Sequence, residues 1–137
     1  MVAENKRIAR LVAYLDALGI KADISGSYND RVKVQKVAFL MDTLANELKY
    51  DDFNFRIKGP YSHTLTVEYF EKQEEFKTKS TFPLNDNEQE KIRRIKEAMN
   101  GSLDVESLEI VASLLYLHNK EGLGYDESEI ETVKISQ

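Results

Sequence analysis

The side chains that could do chemistry are few in this sequence: two histidines, a serine behind a glycine-proline turn, two adjacent carboxylate pairs and a small basic and aromatic set. His63 and His118 lie far apart, and neither belongs to a His-Glu-x-x-His or comparable ligand spacing, so no metal site is expected. They fall near the start and the end of predicted helices, where the second, when protonated, sits well against the helix dipole. Ser62 comes after Gly59-Pro60-Tyr61 but lacks a Gly-x-Ser-x-Gly context and a histidine with reason to approach it. It suits a helix N-cap instead. Asp51/Asp52 and Glu74/Glu75 are neighbours in sequence, and neighbouring side chains diverge on strand or helix, which makes them poor acid-base dyads. Cysteine is absent, which excludes disulfides, thiolate nucleophiles and cysteine-held zinc. With no P-loop and no Gly-x-Gly-x-x-Gly, neither catalysis nor a cofactor is expected.

The remaining set, Lys36, Arg56, Lys58 and Tyr61, reads as a partner-binding patch with an aromatic anchor and a cationic rim, the composition enriched at protein interfaces. Tyr61 is its centre. Gln35 is expected to satisfy backbone groups of the turn at 58–62. Lys36 falls at the margin of an apolar helix face, where its stem covers apolar surface and its charge stays in water. Gly59, Pro60 and Ser62 are structural: proline removes a donor and ends the strand, and the serine caps the next helix.

These residues need a helix, a strand and a turn to hold them. Over 32–48 the apolar residues Val37, Leu40, Met41, Leu44 and Leu48 keep a 3.6-residue period, widened by Val34 and Phe39, with Asn29 or Asp30 as cap. Phe53, Phe55 and Ile57 then alternate with Asn54, Arg56 and Lys58, a strand pattern. After Ser62, Leu65, Thr66, Tyr69 and Phe70 share a helix face, with Glu68, Glu71, Lys72, Glu74 and Glu75 directed to solvent. Upstream, 4–18 predicts an amphipathic helix on Ile8, Leu11, Val12, Leu15 and Leu18, ended by Gly19. Downstream, Asn85 or Asp86 with Glu88 or Gln89 three residues on resembles a capping box. That helix runs to about Met99 on a thin face of Ile92, Ile95 and Met99, and is expected at the periphery. Asp104 caps a last helix carrying Val105, Leu108, Val111, Ala112, Leu114 and Leu115 to about Gly122.

The fold class is therefore mainly α, a single-domain bundle of five or six helices with a short strand or hairpin near 50–59. A winged-helix-like arrangement is compatible with this order. Residues 1–121 form the domain and 122–137 a short tail, for which helix and strand both stay open. A chain of 137 residues can bury a core without metal or disulfide. The start lacks the apolar run of a signal peptide and no stretch is long enough for a membrane span, so a cytoplasmic protein is expected. The net charge of −5 is uneven: residues 1–100 carry 17 Lys plus Arg against 16 Asp plus Glu, residues 101–137 carry 2 against 8. Such acidity disfavours phosphate backbones and suits a basic protein partner.

Lys33-Val34-Gln35-Lys36-Val37-Ala38-Phe39-Leu40 on a helix, succeeded by an aromatic strand and Gly59-Pro60-Tyr61-Ser62, resembles the Panacea (SocA-like antitoxin) superfamily, nearest its YwgA-like branch. There a Lys-hydrophobic-Gln-Lys-hydrophobic helix precedes a Tyr-Gly-Pro turn. Here Lys58 stands where an aromatic residue often precedes the glycine-proline pair. The resemblance covers about a third of the chain. It implies a helical, non-enzymatic module of antitoxin or proteolytic-adaptor type, whose partner is another protein, a toxin or a substrate delivered to a protease. Homodimerisation through the tail is left open. The alternative expectation is a winged-helix-like nucleic-acid-binding regulator, disfavoured by a first interhelix loop of roughly ten residues against the three or four of a DNA-reading motif.

Overall fold

In the computed structural model, which describes residues 4–20, 28–56, 59–77, 80–101 and 103–120, the chain organises around α2 (Tyr28–Ala45). Val32 and every residue from Val34 to Met41 are buried on it, since α1 (Glu4–Leu18), α5 (Asp86–Ala98), α6 (Val105–Lys120) and the strand β2 (Gly59–Ser62) all pack against this one helix. A helix covered on several sides needs no polar face, and this is why its apolar residues outrun a single stripe. The helix begins at Tyr28, so Asn29 and Asp30 lie inside its first turn and not at its cap; there the Asp30 carboxylate still meets the positive end of the dipole. It stops at Ala45, earlier than the apolar period implies. Asn46 and Lys49 adopt left-handed φ values of 57° and 62°, and the Asp42 carboxylate accepts from the amides of Lys49 (2.9 Å) and Tyr50 (2.8 Å). Leu48 is buried all the same, from the turn.

The expected strand is half of an antiparallel hairpin. β1 (Phe53–Arg56) pairs with β2 in the register Phe53–Ser62, Asn54–Tyr61, Phe55–Pro60 and Arg56–Gly59. Gly59-Pro60 thus opens a second strand instead of ending the only one; proline is tolerated at the start of a strand, where a missing N–H disrupts the ladder least. Residues 57 and 58 lie outside the described residues. β2 is buried between α2 and α6, whereas Asn54, Phe55 and Arg56 of β1 are exposed. Phe53 packs edge-on against Phe39 at 5.2 Å, and Phe55 leans on Tyr116 of α6 at 5.6 Å.

Ser62 caps α3 (His63–Glu71), its Oγ accepting from Leu65 N at 3.1 Å. The chain breaks at Lys72 and resumes as α4 (Gln73–Lys77), which sends Phe76 into the core beside α1. Asn85 and Glu88 form the reciprocal capping box of α5, and Asp104 accepts from Ser107 N at 2.8 Å to start α6. The sequence places Glu68 on a solvent face and Glu88 in a capping box, and the structure buries both. Glu68 pairs with Arg7 and accepts from Tyr50 Oη; Glu88 pairs with Arg10 and accepts from Tyr14 Oη. The architecture is a mainly helical single domain with a short two-stranded hairpin. No helix among the described residues is long and apolar enough to cross a membrane. The tail at 122–137 lies outside the described residues.

Candidate functional site

Gln35 and Lys36 stand next to each other on α2 and both reach β2. Gln35 Nε2 donates to Ser62 O (3.0 Å) and to Thr66 Oγ1 (2.9 Å), while its Oε1 accepts from Ser62 N (2.9 Å). The side-chain amide pairs with the Ser62 backbone as a third strand would, and the expected service to the turn is what Gln35 performs. Thr66 passes the order on by donating to Tyr61 Oη at 2.8 Å. Lys36 departs from its expected place. Only 2% exposed, its ammonium is not in water but under the hairpin, donating to Pro60 O at 2.8 Å. Burial pushes its pKa down to about 8, against the opposing attraction of Glu109 on α6. Lys36 is therefore the floor of the patch and not part of its surface rim.

Ser62 is wholly buried and its hydroxyl fully engaged, accepting from Leu65 N and donating to Asp52. Asp52 also accepts from Thr64 N and Thr64 Oγ1, both at 2.8 Å. Burial works against this carboxylate, but the hydrogen bonds from Ser62 and Thr64 outweigh it and hold its pKa below the ordinary value. A serine so placed has no free lone pair directed to solvent. His63 begins α3 exposed, and His118 lies near the end of α6. Among the described residues no three histidine, cysteine or carboxylate side chains gather as a metal would require.

Arg56 and Tyr61 do meet. The guanidinium lies over the Tyr61 ring, 5.1 Å from its centroid, and its Nε donates to Asn54 Oδ1 at 2.9 Å. Together with Lys36 and Gly59 they line a pocket of about 360 Å³, completed by Tyr28, Arg31, Val32, Gln35 and Tyr69. Its lining, among the described residues, holds three cationic and three phenolic side chains and no carboxylate. Lys58 lies outside the described residues. Arg31 sits over the ring of the exposed Tyr28 at 5.8 Å. A second cleft, about 430 Å³ and more open, lies between Asp42, Asn46, Phe53 and Tyr116. Its Asp42 is already held by the two turn amides, so the cationic pocket is the better candidate site.

Tyr28, Arg31 and Tyr69 were not apparent as site residues in the sequence. Tyr28, Arg31, Val32, Gln35 and Lys36 keep the i, i+3, i+4, i+7, i+8 spacing of one helix face, a signal hidden once the helix is started at 32. Tyr69 enters from α3 and has no local signature. Comparison with known proteins returns no match: no family model, no curated protein and no solved structure.

Proposed function

We propose that this chain is a non-enzymatic protein-interaction module, antitoxin-like or adaptor-like as its resemblance to the Panacea superfamily implies, and that it acts in the cytoplasm by binding a partner protein. The observation that carries the reading is the pocket in which Arg56 and Arg31 rest on tyrosine rings above a buried lysine, with no carboxylate among the described residues of its lining. Tyrosine and arginine are the residues that dominate binding energy at protein interfaces, because they bring large contact area with little entropy to lose. Near the hairpin, Ser62 and Asp52 are committed to capping and to each other, which favours binding over turnover. The nucleic-acid alternative is supported less: the hairpin's inner strand is buried, and α3, next to it, displays Glu71.

The test is an affinity capture of tagged protein from its native cells, analysed by mass spectrometry for wild type, Tyr61→Ala and Arg56→Ala. One stoichiometric protein retained by wild type and lost by both variants, with unchanged circular dichroism, is the expected outcome. Retention of nucleic acid alone, released by salt, would overturn the reading in favour of a regulator.

A further inference from the structure

Lys36 is an expensive residue for this core. Its ammonium is buried, and the backbone carbonyl of Pro60 is its hydrogen-bond acceptor; its other two N–H groups meet none among the described residues. Glu109 acts on it through space from α6 without forming an ion pair. An ammonium with one neutral acceptor is less stable than an apolar side chain of the same length would be at such a place, unless a counter-charge completes its shell. Gly59 lets the hairpin close over the lysine stem: a Cβ there would stand 3.4 Å from Lys36 Cε. Outside, on the same pocket, are the guanidinium groups of Arg31 and Arg56, each over a tyrosine ring.

We propose that this pocket receives one carboxylate from the partner protein, an acidic side chain or chain terminus, with Lys36 as its buried counter-charge and Arg31 and Arg56 as its rim. The proposal rests on the protein-binding reading above and names the chemistry of that partner. A carboxylate is the anionic group that an unmodified protein partner presents, and Glu109, acting on the ammonium from α6, offsets part of the pocket's positive charge. The flanking rings of Tyr28, Tyr61 and Tyr69 suit an apolar or aromatic neighbour of the acidic residue. The groups around Lys36 that carry or can carry charge are Tyr28 and Arg31 on its own helix, Arg56 on β1, Tyr61 on β2, Tyr69 on α3 and Glu109 on α6. Lys36 itself is expected to change charge near pH 8.

The probe is a short blocked peptide carrying one glutamate between two phenylalanines, with glutamine and phosphoserine counterparts, titrated into the full chain and read by side-chain NMR of isotopically labelled lysine. The glutamate peptide is expected to move the Lys36 resonance and raise its titration midpoint above about 8, with affinity falling as pH rises past that point. The glutamine peptide is expected to do neither. Arg31→Gln and Arg56→Gln, at the rim, are each expected to weaken the glutamate peptide several-fold at unchanged melting temperature. A Lys36 resonance that ignores the glutamate peptide, or answers both peptides alike, overturns the carboxylate assignment, as does tighter binding of the phosphoserine peptide. If that happens while Tyr61→Ala still releases the captured protein, the interaction module stands and only its ligand chemistry falls. If capture fails as well, both fall.

Discussion

A Cβ on Gly59 would stand 2.6 Å from Ser113 Oγ, and the residue's φ of 98° is one that side chains rarely adopt. Clash and backbone strain can be separated. Gly59→Ala is expected to cost about 2–4 kcal/mol in urea denaturation, and about 1 kcal/mol less in a Ser113→Ala background, where the clashing oxygen is gone and only the φ strain of roughly 1–3 kcal/mol persists. Equal costs in both backgrounds would show that the contact with α6 is not the constraint. Lys36 makes a second prediction at this scale. Its pKa falls from 10.5 to about 8 on folding, so between those values the unfolded chain binds more protons and stability rises with pH. The rise is on the order of 3 kcal/mol across that window, and Lys36→Met is expected to abolish it in melting curves between pH 7 and 11. An unchanged alkaline slope in the variant would place its origin elsewhere.

Two elements are fastened to α1 by the same device. Arg7 and Arg10, one turn apart, each pair with a buried glutamate that also takes a tyrosine hydroxyl: Glu68 of α3 with Tyr50, Glu88 of α5 with Tyr14. Each guanidinium also faces a ring, Arg7 over Tyr50 at 4.2 Å and Arg10 over Phe82 at 4.7 Å. Glu88 in addition accepts from Asn85 N at 2.8 Å, so one carboxylate both caps α5 and docks it. Glu88→Gln is expected to cost roughly 2–4 kcal/mol at pH 7, since it removes one charge of a buried pair and weakens the bonds of the other. Burial alone would raise the Glu88 pKa, but the hydrogen bonds from Tyr14, Asn85 and Arg10 hold it below its ordinary 4.5. Its contribution is therefore complete above about 4.5 and lost as pH falls below it. The gap between wild type and variant is expected to narrow from pH 7 to pH 3; a gap independent of pH would mean that shape, not charge, docks the helix.

For the whole molecule, the hairpin is a buried layer as much as a display surface, because β2 lies between α2 and α6 while β1 faces outward. The amides of Val37 to Leu40, Leu108 to Ala112 and Ser62 are accordingly expected to exchange hydrogen only through global unfolding, with those of α4, five residues long, exchanging far sooner. Gln35→Ala is expected to lower protection of Ser62 at least tenfold beyond its effect on α5. Uniform loss across all helices would show that Gln35 supports overall stability without specifically docking the hairpin.

Local pattern was sufficient for several helices and caps, though not for the ends of α2 or the break at Lys72: the period of Ile8 to Leu18, the Asn85–Glu88 box, Asp104 and Ser62 all act within a few residues, where spacing alone decides the geometry. It was sufficient too for Gln35 and the Arg56–Tyr61 pairing, because the turn at 58–62 is close in the chain. What spacing cannot carry is the identity of a partner from a distant element. Only packing could put Glu68 against Arg7, Glu88 against Arg10 and Lys36 beneath Pro60, burying two charges that read as solvent-facing, Glu68 and Lys36, and one that read only as a cap. Tertiary structure likewise brought Tyr28, Arg31 and Tyr69 to the pocket, since a site shared by two helices and a hairpin exists in no stretch of sequence.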